Sequence, residues 1–311
     1  MIERKIIIIS NILKKLIKFS SLALISLIGV SLVGCHSMMA GMLNPEGIVS
    51  AEEKKIFFDS LALMLIVVIP VFIMSFTFIL HYRAGKSTID YRPNWGRSVL
   101  LEVIWWGIPC AIILILGIMT WAMTHKLDPY RRLDVPGKHM LIQVVALPWK
   151  WLFIYPKQNI ATVNYLEIAK GQQVEFWLTN DNVPMSAFFV PQLGSQIYTM
   201  AGMRTRLHLV AKKDGTYTGL DSQFNGDGFS DMCFTVKVVE QNELRDWFAE
   251  IKRSKQSLTV PVYENLIQPS VNESVHYYSV VIPRLFSKII MKYKQTTGIM
   301  PIQWEHRLPG C

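Results

Sequence analysis

Apolar residues gather into three runs in the first part of the chain and thin into alternating patterns beyond it. The first run, 19–33, follows a basic stretch ending at Lys18. The second, 57–80, is interrupted by Asp59, Pro70 and a few hydroxyls, and the third, 103–123, by no charge at all. At about 1.5 Å of rise per residue, the second and third reach roughly 36 and 31 Å as helices, enough to cross a bilayer with some tilt. Pro70 and Pro109 are expected to bend them. The first run, about 15 residues, is too short to span and reads as the apolar centre of an export signal.

Past residue 130 the period shortens. Residues 140–147 and 149–155 are β-rich with Pro148 between them, and Val174, Phe176 and Leu178 alternate with polar neighbours. Leu207 and Leu209 alternate likewise, as do Phe234, Val236 and Val238. Lys170-Gly171, Asp214-Gly215 and Asn225-Gly226-Asp227-Gly228 supply turns between them. Half-buried strands at this spacing predict an antiparallel sandwich or barrel. After Glu240 the period becomes helical, with Leu244, Trp247, Phe248 and Ile251 on one face and Asn242 as the expected cap. A second helical pattern follows Pro283, carried by Phe286, Ile289, Ile290 and Tyr293. Both are expected to pack on the sandwich or on a membrane surface.

The fold class expected is a membrane-anchored all-β protein. A two-helix transmembrane hairpin precedes a sandwich or barrel with C-terminal helices. The divisions expected are a cleaved signal peptide (1–34), an exported N-terminal segment (35–56), a first span (57–80), a cytoplasmic loop (81–98), a second span (99–125), an exterior β domain (126–240) and a helical extension (241–311).

Composition fits that plan. The chain is 51% hydrophobic, as a leader and two spans added to one soluble domain would make it. Of the formal charge of +9, the leader carries +4, leaving +5. No basic stripe interleaved with aromatics appears, so nucleic acid is not an expected partner. The four cysteines form no close pair; Cys233 and Cys311 could join in an oxidising compartment, and Cys110 sits within a span.

The leader ends in Leu32-Val33-Gly34-Cys35, the form of a lipoprotein cleavage box, with Cys35 the residue to be acylated. A plain signal that happens to contain a cysteine is the alternative. With two spans holding the chain, a lipid at Cys35 is an added restraint on the membrane. The loop between the spans carries Arg83, Lys86, Arg92 and Arg97 against Asp90, which favours the cytoplasm, although Lys126, Arg131 and Arg132 follow the second span on the other side. An exported Cys35 decides the matter: two crossings return the β domain to the outside. Glu102 then lies at the cytoplasmic start of the second span, on one helical face with Trp106 and Pro109. A carboxylate there is either an interfacial group or a functional one.

Several segments together carry a resemblance: EVIWWGIP at 102–109, TWAMTH at 120–125, WKWLFIYP at 149–156, PQLGSQIY at 191–198, MAGM at 200–203 and GDGFS at 226–230. In this order the chain resembles subunit II of the haem–copper respiratory oxidases, and is most similar to that of the bo-type ubiquinol oxidases. The resemblance implies a periplasmic cupredoxin-like domain on a lipid-anchored, multi-pass subunit of the bacterial inner membrane. Cytochrome c oxidases in this superfamily bind two coppers in subunit II through an early histidine and the pattern Cys-x-Glu-x-Cys-x-x-x-His-x-x-Met. Here those positions hold Met185, Asp221, Gln223, Asn225, Phe229 and Met232. Only Met232 keeps its donor, so an empty site is expected. Thiolates share electron density between two coppers; carboxylate and amide oxygen do not, and phenylalanine offers nothing. Cys233, adjacent to Met232, is expected to point to the opposite face.

The resemblance further implies that haems and the oxygen-reducing copper reside in a partner subunit I. This chain then binds no cofactor, is not catalytic alone, and belongs to a proton-translocating complex oxidising ubiquinol. Its implied partners are subunit I, the other oxidase subunits and membrane lipid, with no cytochrome c. Glu102 matches the family glutamate at a proton-uptake entrance, although Gly107 stands where bo-type chains usually carry a hydroxyl. Trp149 and Trp151 fall where copper-bearing relatives keep aromatics near cytochrome c, and here are expected to serve packing. The competing readings are a copper-bearing cytochrome c oxidase subunit, a membrane-anchored periplasmic binding or sensing lipoprotein, and a structural relic whose partners are lost.

Overall fold

A computed structural model of the chain describes residues 41, 43–82, 96 and 98–297. Cys35, the inter-span cations Arg83, Lys86, Arg92 and Arg97, and Cys311 lie outside the described residues. The elements below belong to one compact unit, Pro45–Cys311.

Two long helices come first, α1 (Ile48–His81) and α2 (Val99–Lys126), both long and apolar enough to cross a membrane. Each continues through its proline, Pro70 or Pro109. Their apolar side chains face outward, with Ile79 69%, Leu100 71% and Trp121 72% exposed. Such surface is stable only against lipid or another protein. α1 starts at Ile48, ahead of the apolar run, because its first turn is docked on the β domain. Gly47 N–H donates to Gln192 O at 3.0 Å, Lys212 N–H to Glu46 O at 2.7 Å, and Ser50 Oγ to Gln192 O at 2.7 Å. A Cβ on Gly47 would lie 2.1 Å from Leu193 O, so only glycine permits this approach. Lys126, at the end of α2, pairs with Glu52 of α1 at 2.9 Å.

The β domain packs two sheets face to face. One has the order β12 (His276–Tyr278), β3 (Ile160–Val163), β2 (Lys150–Tyr155), β1 (Met140–Leu147), β5 (Gln173–Asn180), β8 (Thr205–Val210). The other has the order β4 (Tyr165–Ala169), β10 (Cys233–Val239), β9 (Gly215–Asp221), β6 (Met185–Val190), β7 (Gly194–Met200). Most ladders are antiparallel, but β1 runs parallel to β5 and β4 to β10. Val174, Phe176, Leu178, Leu207, Leu209, Phe234, Val236 and Val238 all point inward. The core centres on aromatics: Phe188 and Phe234 stack at 5.2 Å, and Trp151 meets Phe188 edge-on at 5.5 Å.

The outer face of the first sheet is also covered. Val145, Leu147, Leu152, Ile154, Ala161 and Val163 pack under α4 (Val260–Leu266) and α5 (Leu285–Thr297) through Tyr263, Leu266, Phe286 and Ile289. Burial on both faces explains why β1 and β2 read as continuous apolar runs. The stretch after 240 is helical in part only: α3 (Gln241–Arg253) is followed by β11 (Ser257–Leu258) and β13 (Val280–Val281), which pair with each other, while β12 extends the first sheet. Glu240 stands at the N-cap position of α3 without a side-chain cap bond, and Asn242 is the second residue of the helix.

Trp149 departs from the strand expectation. Leu147 pairs with Lys150, so Pro148 and Trp149 form a two-residue turn, with Trp149 at φ 59°. An aromatic residue in the left-handed region is unfavourable unless its surroundings hold it there.

Candidate functional site

Five of the six positions lie where β9 leaves the core and a short 3-10 turn (Phe229–Asp231) leads into β10, and the sixth, Met185, opens β6. Asp221, 3% exposed, is the hub. Its Oδ1 accepts the backbone N–H groups of Ala187 at 2.7 Å and Gln223 at 2.9 Å. Its Oδ2 accepts from Asn225 Nδ2 at 2.9 Å, and the same amide nitrogen lies 3.1 Å from both Ser186 Oγ and Met232 Sδ. Burial raises the Asp221 carboxyl above its usual range, against the lowering effect of its hydrogen bonds from Ala187, Gln223 and Ser186.

Three of the six positions, Asp221, Asn225 and Met232, therefore meet. Gln223 contributes its backbone N–H. Phe229 turns to Phe224, with ring centroids 5.5 Å apart. Met185 pairs across the ladder with Met200, and β6 reaches the hub through the next residue, Ser186. Met232 is 1% exposed, whereas Cys233, which opens β10 facing away from the buried Phe234, is exposed and forms no disulfide among the described residues.

This donor set does not fit copper. The carboxylate and the amide nitrogen are engaged with each other, and the thioether faces that nitrogen. Asn225 Oδ1 is buried without a hydrogen-bond partner among the described residues, but one amide oxygen beside one thioether is no copper pair. Among the described residues no group of three or more His, Cys, Asp or Glu side chains is placed to hold a metal ion.

Trp149 and Ser186 were not read from the sequence as parts of this site. The Trp149 turn lays its indole along the loop, and Nε1 donates to Asn225 O at 3.4 Å. A Cβ on Gly228 would sit 2.4 Å from that ring, so glycine there lets the indole close over the loop. Trp151, two residues on, is fully buried in the core.

Glu102 is exposed in the first turn of α2. Ser98 caps that turn, with Oγ 3.5 Å from Leu101 N, and a carboxylate there complements the helix dipole. Trp106, on the same face, is 67% exposed, and a Cβ on Gly107 would meet nothing within 4 Å.

Comparison with known proteins now decides the family. The chain is 45% identical over 276 residues to the cytochrome bo(3) ubiquinol oxidase subunit 2 of Pseudomonas aeruginosa, covering 89% of this chain and 82% of the relative. It belongs to the quinol oxidase subunit 2 family. The Acetobacter aceti ubiquinol oxidase subunit 2 is 42% identical, covering 84% of each chain, and the Buchnera aphidicola cytochrome bo(3) subunit 39%, covering 88% and 93%. As a quinol oxidase subunit 2, the chain is one part of an oxidoreductase complex. Residues 252–296 match the COX Aromatic Rich Motif, the segment that brings α4, β12, β13 and α5 onto the first sheet. Among solved structures, the periplasmic domain of subunit II of cytochrome oxidase from Bradyrhizobium japonicum aligns at 21% identity and a TM-score of 0.35, over 37% of this chain and 95% of that one.

Proposed function

We propose that this chain is the copper-free subunit 2 of a proton-translocating quinol:oxygen oxidoreductase in an aerobic respiratory chain. Asp221 carries the reading. At the centre of the loop that would grip copper stands a buried carboxylate whose oxygens are used by two backbone amides and an asparagine. With no electron-entry metal here, cytochrome c has no port, and electrons come from membrane-soluble ubiquinol through subunit I, which holds the haems and the oxygen-reducing copper. The chain stabilises subunit I and covers its periplasmic face. Glu102 lies near the mouth of a proton-uptake path. Cys35 carries the lipid, α1 and α2 cross the inner membrane, and the β domain stands in the periplasm.

Purification in mild detergent tests this. The chain should emerge with a large haem-bearing partner and add no near-infrared band of a thiolate-bridged copper pair. A monomeric chain free of haem protein, or such a band, would overturn the proposal. Glu102→Ala should slow turnover with assembly intact; turnover unchanged across pH would leave Glu102 as an interfacial carboxylate. Cys35→Ser should abolish acylation and leave the protein in the membrane fraction.

A further inference from the structure

Beyond α2 the chain turns through Tyr130 and Arg132 and crosses the outer face of the first sheet, beside β5 and β8. His208 Nδ1 lies 2.9 Å from Pro129 O, and an Arg132 guanidinium nitrogen 4.0 Å from Glu175 Oε2. Trp177 points the same way as Glu175, and its indole N–H donates to Glu175 Oε1 at 2.7 Å. Over the Trp177 ring lie two more guanidinium groups, Arg204 at 4.3 Å and Arg206 at 5.9 Å from the centroid. Both arginines are half-buried, and among the described residues neither has a carboxylate within 4.0 Å. Glu175, which already serves an indole, is approached by Arg132, His139 and His208, and leaves Arg204 and Arg206 beside it without a paired carboxylate. Burial and the nearness of Arg206 both lower the Arg204 pKa, the mark of cations crowded without enough counter-charge.

The place of this group says which anion it suits. Tyr130 is four residues past Lys126, the last residue of α2, and four residues extend at most about 14 Å. The arginines therefore stand at the depth of the headgroup layer when α2 crosses a bilayer. Tyr130 is 52% exposed and Trp177 partly so, the aromatic character of a membrane–water boundary. Guanidinium groups bind phosphate oxygens in pairs, where a lysine offers only a point charge.

We propose that Arg132, Arg204 and Arg206, framed by Tyr130 and Trp177, bind the phosphate of an anionic phospholipid at the outer rim of the membrane. The site fixes the depth and tilt of the β domain over the bilayer through the face opposite its core. It rests on the proposed crossing by α2, which an alkaline carbonate wash tests separately: a chain that the wash releases refutes the crossing, whatever its lipid binding.

The test is native mass spectrometry of the full chain, with the subunits it retains, released from nanodiscs of mixed phosphatidylcholine and phosphatidylglycerol. Phosphatidylglycerol should be retained over phosphatidylcholine. Arg204→Gln with Arg206→Gln should weaken that retention about tenfold or more, since one charge-assisted hydrogen bond to an ion is worth at least a factor of ten. Exchange of Lys252 and Arg253 on α3 for glutamine should change nothing, and inorganic phosphate should not displace the lipid. Arg204→Lys with Arg206→Lys, which keeps the charge and the fold, should recover part of the retention and serves where the glutamine pair misfolds. Four results overturn the proposal: no preference for phosphatidylglycerol, full retention in the glutamine pair, displacement by inorganic phosphate, or loss of another subunit from the glutamine pair with lipid retention unchanged. The last would make the patch a protein interface.

Discussion

Two buried aspartates, one at the end of β9 and one under the C-terminal extension, solve the same problem in opposite ways. Asp221 and Asp181 are 3% and 1% exposed. Asp221 takes hydrogen bonds from neutral donors only, two from its own loop and one from Ala187 on β6, and burial pushes its carboxyl toward the protonated form. Asp181, just past β5, takes a cation and two phenols from α4 and α5: Lys292 Nζ at 2.8 Å, Tyr293 OH at 2.6 Å and Tyr263 OH at 2.7 Å. Tyr293 OH also accepts the Asn182 backbone N–H at 2.8 Å. The first carboxylate fills a space and closes a loop. The second fastens a separate layer to the sheet. A buried carboxylate given a cation and two phenols from a separate layer becomes a crosslink between layers; one given only neutral amides closes its own loop.

The sharpest break of that contrast is Asp181→Ala. It removes the acceptor shared by two phenols and a lysine, and should cost about 3 kcal/mol, the exposure of Lys292 holding it to the low end for a broken buried pair. Denaturation of the full chain in detergent would read the loss, and limited proteolysis should then cut first between β11 and α5. Gly228→Ala comes next. Its methyl group would press on the Trp149 ring, an overpacking worth about 2 kcal/mol, and cleavage should appear in the 222–232 loop while the extension stays protected. A cost as large as that of Asp181→Ala would mean the loop is as structural as the extension. Asn225→Ala should be milder, about 1 kcal/mol, because Asp221 keeps both backbone donors.

The smallest effect is in the pH dependence, and its sign separates the carboxyls. The Asp221 pKa is raised above 3.8, so the folded state holds the proton more tightly than the unfolded state. Its contribution to stability is present at low pH and is lost as pH rises from 3.8 through the folded value. Glu273 is the opposite case. Burial works to raise it, but hydrogen bonds from Ser270 and His276 and the nearby Lys150 lower it to about 2. Its contribution is present above 4.5 and is lost as pH falls toward 2. Asp221→Asn should flatten the first slope and Glu273→Gln the second, read from denaturation midpoints across pH; one slope unmoved by its own variant would remove that assignment.

Much of this was legible in one dimension. The inward positions of β5, β8 and β10 follow from alternation, and β1 coincides with the run read as strand. β3 and β4 escaped notice because runs as short as four and five residues, buried almost throughout, carry no period. The six positions could be named only through the family resemblance, and their chemistry from residue type. What the loop does with them could not. Ser186 replaces its neighbour Met185 at the hub because a strand shows alternate residues to alternate faces. Trp149, read as strand, serves the loop from a turn at positive φ.

What the chain decides alone is whatever depends on residue type and near neighbours. Two apolar runs long enough to cross a membrane are set by composition, and a loop without thiolate or imidazole is set by identity. Folding decided the rest, because its causes lie far apart in sequence. Asp181 finds Tyr263 across 82 residues and Lys292 across 111, and Trp149 meets Asn225 across 76. Such pairs leave no periodicity, since a side chain's partner across a sheet is fixed by register and by what covers the outer face.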